Sequence, residues 1–285
     1  MFGAIEAGGT KFICGVGTGP EDLRTVQIAT TNPQATVEQA VAFFLAQGPL
    51  RAVGIGSFGP VDLRTGHITS TPKPGWQNFD FAGAVRAALG VPVGFDTDTN
   101  AAALAEARWG AAQGIANFIY VTVGTGIGGG AVANGKLVYG QEHPEMGHIR
   151  VPHDRVRDPF PGCCPFHGDC LEGLACGPAM TARWGCEAKD LSPNHPGWPL
   201  EAHYLALAVN NWSCVLSPQR IIMGGGVMQH ESLFDMIQAE LAAILNSYMP
   251  ATHVLPPFLG GRAGVLGALV LAEQAASGES SGGEA

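Results

Sequence analysis

Long apolar segments are absent from this sequence, although 46% of its 285 residues are hydrophobic. A membrane-spanning helix needs about 20 consecutive, mostly apolar residues. The first residues also lack the basic region and apolar stretch of a secretory signal peptide. We therefore predict a cytoplasmic protein with no membrane partner.

Charged residues are also scarce, at 14% of the chain, and basic residues are the rarer kind. There are 15 Lys and Arg residues against 24 Asp and Glu residues, which gives a formal net charge of -9. A protein that binds nucleic acid needs a basic face for the phosphates. The charge therefore argues against a nucleic-acid partner, but not against a nucleotide, which backbone amides can bind.

The seven cysteines are an odd number for a disulfide framework, and four of them lie between residues 163 and 176. In a reducing compartment this clustering favours a metal site. Cys164, His167 and Cys170 are spaced three residues apart, and His148 precedes them by sixteen residues. Four nitrogen and sulfur ligands of this kind predict one closed, tetrahedral zinc site.

Two carboxylates, Glu145 and Glu172, lie within three residues of a predicted zinc ligand. A purely structural zinc site does not need acids, so we expect both to accept hydrogen bonds from a neutral polyol. The second ring nitrogen of His148 would be available to the same substrate. Two alternatives stay open: His148 as an ordinary surface residue, and Cys163 in place of Cys164 as a ligand.

Glycine is in excess, with 41 residues, and two of its runs lie between predicted strands. These runs are Gly8-Gly9, followed by Thr10, and Gly124-Thr125-Gly126. Each turn can point amide N–H groups at an anion, and each threonine adds a hydroxyl donor. As a pair in equivalent places they predict a clamp for a polyphosphate. A third run, at 224–226, follows a strand and would admit an adenine and ribose.

Two acids, Asp96 and Asp98, stand where an apolar strand meets a helix. Asp96 or Asn100 can cap the helix, so the second acid is not needed for capping. Phosphoryl transfer to an alcohol requires a carboxylate that accepts the hydroxyl proton. We predict Asp98 as this base, with a purely structural role as the alternative.

The segment 71–76, Thr-Pro-Lys-Pro-Gly-Trp, is typical of a rigid loop, and it ends in an aromatic residue. Trp76 either stacks on a sugar face or pins the loop to the core. Both interpretations fit the sequence equally well.

The order of predicted elements repeats along the chain. Strand, glycine turn and strand begin near residue 2 and again near residue 117, and helices alternate with strands after each. This pattern predicts two mixed α/β domains that face each other across a cleft. We place the N-terminal domain at 1–115, the C-terminal domain at 116–276, and a disordered tail at 277–285.

Taken together, the motifs resemble those of the ROK family of sugar kinases over about residues 2–274. The matching motifs are Ala7-Gly-Gly-Thr-Lys11, Asp98-Thr-Asn-Ala-Ala102, Val123-Gly-Thr-Gly-Ile-Gly128, Glu145-Met-Gly-His148, Cys170-Leu-Glu172 and Gly224-Gly-Gly226. Within the family, the segments 143–148, 164–170 and 71–76 look most like those of bacterial zinc-containing fructokinases. The resemblance implies a two-domain, hexokinase- and actin-like (ribonuclease H-like) fold. It further implies ATP with Mg²⁺, transfer to D-fructose giving fructose 6-phosphate, and a homodimer.

The resemblance also assigns roles to individual residues. Asp98 matches the catalytic base, and Glu145, His148 and Glu172 match the sugar-binding residues, with Trp76 a further candidate. His148, Cys164, His167 and Cys170 match the zinc ligands. The nucleotide-binding positions are Gly8, Gly9, Thr10, Lys11, Gly124, Thr125, Gly126, Gly224, Gly225 and Gly226.

The sequence departs from the wider family at several positions. Glu6 replaces the usual aspartate before the first turn, which puts its water-mediated link to magnesium in doubt. Thr97 stands where many glucokinases of the family carry asparagine, which argues against glucose as best substrate. Glucokinase or mannokinase activity, or a non-catalytic sugar-binding or regulatory role, are the alternatives. A repressor would carry a helix-turn-helix before the first glycine turn, where Gly8 leaves no room for one.

Overall fold

The computed structural model describes residues 1–278, which fall into two units. The first contains Met1–Gln113, Val138–His143 and the residues from Gly261 on, and the second contains Gly114–Leu137 and Pro144–Gly260. The strands are β1 (Phe2–Ala7), β2 (Lys11–Gly17), β3 (Arg24–Ala29), β4 (Val53–Ser57), β5 (Val61–Asp62), β6 (His67–Ile68), β7 (Phe79–Asp80), β8 (Val93–Thr97), β9 (Phe118–Val123), β10 (Ile127–Ala133), β11 (Lys136–Leu137), β12 (Arg220–Gly224) and β13 (His253–Leu255). The helices are α1 (Pro33–Leu45), α2 (Phe81–Leu89), α3 (Asp98–Trp109), α4 (Leu171–Ala175), α5 (Gly177–Trp184), α6 (Gly197–Leu216), α7 (Ser232–Leu245) and α8 (Ala263–Ser277).

The main sheet of the first unit has the strand order β3-β2-β1-β4-β8, and β5, β6 and β7 form a small second sheet. β1 pairs antiparallel with β2, whereas β1, β4 and β8 run parallel. The three parallel strands end in register, with Ala7 opposite Ser57 and Ser57 opposite Thr97. The residues that follow these strands therefore lie along one edge of the sheet.

The sheet of the second unit has the equivalent order, β11-β10-β9-β12-β13. It also opens with an antiparallel hairpin, β9 and β10, and continues with parallel strands. Asn134 and Gly135, at the tip between β10 and β11, have φ values of 53° and 76°. Both values suit the type I′ turn expected of Asn-Gly. The predicted mixed α/β class and the repeated strand–turn–strand opening are confirmed.

The position of helix α8 differs from the predicted domain boundaries. The helix packs in the first unit rather than with residues 116–276. Its backbone lies directly on the first sheet: a Cβ atom at Gly54 would fall 1.8 Å from the carbonyl oxygen of Ala268. It lies equally close to α3, since a Cβ at Gly267 would fall 1.7 Å from the carbonyl oxygen of Ala101. Only glycine permits such approaches.

Two further expectations concern the end of the chain and the membrane. Ser277 is the last residue of α8 and Gly278 caps it with a φ of 76°, so both belong to the helix end rather than to a tail. The rest of the predicted tail, 279–285, lies outside the described residues. Within residues 1–278, no helix is long and apolar enough to span a membrane.

Helix α6 contains an unusual buried acid, Glu201, which is 1% exposed. Within residues 1–278, neither of its carboxylate oxygens has a hydrogen-bond partner. Burial raises the pKa of this carboxyl well above the usual 4.5, and the positive charge of Arg183 offsets only part of the effect. The folded protein therefore holds a proton that the unfolded chain releases, and its stability falls as pH rises above 4.5.

We expect Glu201→Met to raise the melting temperature at pH 7 by on the order of 2–4 °C, because it removes this cost. The difference from the unsubstituted protein should widen between pH 5 and pH 8, which thermal melts can follow. Glu38→Met, at an exposed position of α1, is the matched control and should show no such pH dependence. A lower melting temperature for Glu201→Met across this range would show that the carboxyl stabilises the fold.

Candidate active site and metal centre

Four candidate metal ligands converge in the second unit, within 4.8 Å of one another: His148, Cys164, His167 and Cys170. His148 Nδ1 lies 3.7 Å from Cys164 Sγ, 3.5 Å from Cys170 Sγ and 3.3 Å from His167 Nδ1. A tetrahedral zinc ion with bonds of roughly 2.0–2.3 Å would separate its ligand atoms by about 3.3–3.8 Å. The residues present therefore fit a four-coordinate zinc.

Backbone hydrogen bonds explain how ligands from two segments meet. Cys164 and Gly168 exchange backbone bonds of 3.1 and 2.9 Å, which fold the segment between the cysteines into a tight turn. Leu171 N donates to Ile149 O at 3.0 Å and so places His148 beside Cys170. The alternative ligand Cys163 is exposed, and its Sγ lies 4.0 Å from Cys176 Sγ, outside the four-residue group.

The group of four candidate metal ligands is joined to the second glycine turn through Glu172. If Nδ1 of His148 binds the metal, its Nε2 atom faces Glu172, whose Oε1 lies 3.9 Å away. The other oxygen of Glu172 accepts a hydrogen bond from Ile127 N at 2.9 Å. A Cβ atom at Gly126 would fall 2.6 Å from that oxygen, so a side chain there would displace the Glu172 carboxylate. Glu145, exposed, begins the 3₁₀ turn Met146–His148 and accepts a bond from His148 N through its carbonyl oxygen.

The second and third glycine runs lie side by side, because β9 and β12 are parallel and Thr122 is paired with Gly224. A Cβ atom on Gly124 would lie 4.0 Å from Gly226 N. Gly225 has a φ of 100°, and a Cβ there would fall 2.3 Å from Val123 O, so the turn needs glycine. The structure thus brings together the two glycine runs predicted for this half of the chain.

In the first unit, Asp98 is the first residue of α3 and is half-buried. Because β1 and β8 are separated only by β4 and end in register with it, Asp98 and the Gly8 turn follow strands at the same edge of the sheet. The Oδ1 atom of Asp98 accepts a bond from Thr99 N at 2.8 Å. This edge is where ligands collect in sheets with parallel strands.

The cap of α3 differs from the prediction. Thr97, rather than Asp96 or Asn100, is the N-cap, and its Oγ1 accepts from Asn100 N at 3.1 Å. Asp96 is fully buried and bonded to Asn100 Nδ2 at 2.7 Å and to Tyr139 OH at 2.5 Å. Burial raises the pKa of the Asp96 carboxyl to about 6, although these hydrogen bonds counteract it. No sequence pattern predicts the contact made by Tyr139, since a lone tyrosine after a hairpin has no spacing that marks it.

Glu6, the acid before the first turn, lies in β1 and is largely removed from solvent. Its Oε2 atom is buried and has no hydrogen-bond partner among the residues described. Burial raises the pKa of Glu6, and a backbone hydrogen bond from Val265 counteracts it. A buried carboxylate oxygen without a donor suits a hydrated cation, so Glu6 fits a water-mediated magnesium contact.

The position of Trp76 contradicts its predicted role as a sugar contact. Its side chain is 0% exposed and packs against Phe12, Phe58 and Phe81 at ring-centroid distances of 5.5, 5.5 and 5.8 Å. Its Nε1 donates to Thr31 O at 2.8 Å. Because its side chain is fully buried among aromatic rings, Trp76 anchors its loop to the core and has no exposed face for a sugar.

Comparisons with known proteins agree with this arrangement. The sequence profile of the ROK family matches residues 2–275. Fructokinases from Pediococcus pentosaceus and Zymomonas mobilis are each 41% identical to the chain, over 96% and 95% of its length and 98% and 96% of their own. The crystal structure of a ROK family glucokinase from Streptomyces griseus in complex with glucose and AMPPNP aligns with a TM-score of 0.81 and 29% identity. That alignment covers 96% of this chain and 99% of the glucokinase.

Proposed function

Because the chain belongs to the ROK family and is a sugar kinase, we propose that it is a fructokinase. It would transfer the terminal phosphoryl group of ATP to the 6-hydroxyl of D-fructose, giving fructose 6-phosphate. One observation carries this proposal: Glu172 links His148 to the second glycine turn within one unit. Acceptors suited to sugar hydroxyls thus lie beside backbone amides suited to phosphate. The fructokinase relatives supply the choice of sugar.

The first unit would supply the base and one phosphate turn. The carboxylate of Asp98 accepts the proton of the attacking hydroxyl and orients its oxygen toward the phosphorus. The turn that contains Gly8, Gly9, Thr10 and Lys11 presents amide and hydroxyl donors to the polyphosphate. Asp98 is the acid suited to this role, because Asp96 is buried and occupied by Tyr139.

The second unit would hold the sugar and the rest of the nucleotide. Glu145, Glu172 and the outward nitrogen of His148 accept sugar hydroxyls. The second turn binds phosphate through Gly124, Thr125 and Gly126, and the neighbouring Gly224, Gly225 and Gly226 leave room for adenosine to approach the backbone.

Two metals are part of the proposal. Magnesium on ATP would neutralise charge on the phosphate oxygens, with Glu6 as its protein contact through water. Zinc would be bound by His148, Cys164, His167 and Cys170. Four protein ligands leave no open coordination position, so zinc would support the sugar-binding residues structurally. We further propose a cytoplasmic homodimer that binds neither nucleic acid nor membrane.

A glucokinase is the second candidate, because the Streptomyces griseus relative is described in complex with glucose. A coupled assay of ADP release with fructose, glucose, mannose and N-acetylmannosamine decides between them. We expect kcat/KM for fructose to exceed that for each other sugar by at least about tenfold, since one misplaced hydroxyl at a hydrogen-bonding site leaves polar groups unpaired. A higher value for glucose or mannose would assign that kinase activity instead. No turnover with any sugar would support a non-catalytic sugar-binding protein.

A further inference from the structure

The loop at 71–76 holds its one charged residue, Lys73, in a fixed position. Trp76 anchors the end of the loop in the core. Two hydrogen bonds also hold the loop: Gln77 Nε2 donates to Thr71 O at 2.9 Å, and Lys73 N donates to Thr71 Oγ1 at 3.3 Å. Proline at 72 and at 74 restricts the backbone on both sides of the lysine. The loop therefore presents the lysine side chain from a rigid base.

The side chain of Lys73 reaches the first phosphate turn, 64 residues away in sequence. Its Nζ atom donates to the carbonyl oxygen of Gly9 and, at 3.3 Å, to that of Thr30. The lysine is only half-buried, so part of the residue stays exposed to solvent.

The same lysine completes a pattern in which every carbonyl oxygen of the turn is bonded to a donor. Gly8 O accepts from Thr30 Oγ1 at 2.8 Å, and Thr10 O accepts from Thr30 N at 3.0 Å. Lys11 O accepts from Gly8 N at 2.9 Å. Gly9 O, at the tip, is the one that Lys73 holds. Carbonyl oxygens repel an anion. Hydrogen bonds that hold these oxygens in place therefore favour a turn conformation whose amides can face phosphate.

We propose that Lys73 is a positioning residue for phosphoryl transfer, acting on the nucleotide through the Gly9 carbonyl. This inference rests on the proposed kinase function, in which the turn binds phosphate. An ammonium group has three N–H donors, and its contacts with Gly9 O and Thr30 O use two of them. Its positive charge beside the turn also favours the binding of a polyanion. The loop thereby has a role in nucleotide use, not in stacking on a sugar.

The test compares Lys73→Met, which keeps the length but not the charge, with Lys73→Arg and Lys73→Ala. We expect Lys73→Met to lower kcat/KM for ATP roughly 10- to 100-fold, the range typical for loss of a charged hydrogen-bond donor. The KM for fructose should change less than about twofold. Lys73→Arg should recover most of the loss, and added ethylammonium should partly rescue Lys73→Ala in a concentration-dependent way. Lys136→Met, at an exposed position of β11, is the matched control and should behave as unsubstituted protein.

Two results would overturn the inference while leaving the kinase proposal intact. One is a Lys73→Met protein with unchanged kcat/KM for ATP. The other is an equal loss for ATP and fructose together with a lower melting temperature and no rescue by amine. If the unsubstituted protein phosphorylates no sugar, the kinase proposal fails by itself. Calorimetric titration with ADP then tests Lys73 alone: weaker binding in Lys73→Met supports the inference, and equal binding refutes it.

Discussion

Asp98→Asn is expected to lower kcat for sugar phosphorylation by at least about a hundredfold, since a positioned general base typically contributes 10²–10⁴. The fold should persist, because the asparagine Oδ1 can still accept the bond from Thr99 N that Asp98 accepts at 2.8 Å. The Asp98 charge at the start of α3 adds only about 0.3–1 kcal/mol through the helix dipole. Steady-state turnover and a thermal melt of the same preparation measure both effects.

Asp80→Asn provides a matched control for this substitution. Asp80 is also an aspartate at a helix start, since it caps α2 and accepts from Gly83 N at 2.8 Å. It lies outside the proposed catalytic residues, so Asp80→Asn should keep normal turnover. If Asp98→Asn turned over as fast as the unsubstituted protein, Asp98 would have no part in the chemistry.

Cys170→Ser is expected to weaken sugar binding and lower thermal stability together. Freshly purified protein should contain one zinc per chain, and loss of a buried ligand should release it. Without zinc the segment 164–170 is no longer tied down, so Glu172 and the ring of His148 lose their positions. We expect the KM for fructose to rise at least about tenfold, in line with the loss caused by disturbing a metal site. The melting temperature should fall by on the order of 10 °C, while ADP affinity stays nearly constant.

The exposed neighbour Cys163 supplies the control for the metal. Cys163→Ser should retain its zinc and its sugar affinity, because this thiol lies outside the four-ligand group. Zinc far below one equivalent in fresh protein would show that the four residues do not hold a structural zinc ion. Unchanged sugar affinity in Cys170→Ser would separate the metal from the sugar-binding residues.

Local patterns in the sequence predicted the cluster of four candidate metal ligands and the repeated hairpins. The spacing of Cys164, His167 and Cys170 is a property of one turn, and the glycine runs mark the turns that follow β1 and β9. Such features depend on residues close in sequence, so a single chain reveals them. The position of α8 could not be predicted in this way, because it depends on small residues far away in the sequence, such as Gly54 on the first sheet.

Contacts between distant residues account for the other differences. Tyr139 meets Asp96 across 43 positions and Lys73 meets Gly9 across 64, and neither pair has a periodic signal. Trp76 was ambiguous for another reason. A tryptophan after a proline-rich loop suits a core and a sugar face equally, and only the surrounding aromatic rings decide between them.

The position of the phosphate on the product is the most direct measure of the proposed fructokinase activity. Unsubstituted protein should be incubated with ATP, Mg²⁺ and D-fructose, and the sugar product identified by ³¹P and ¹³C NMR. The proposed function predicts fructose 6-phosphate, formed in a one-to-one ratio with ADP. Fructose 1-phosphate, or ADP formed with no phosphorylated sugar, would contradict it.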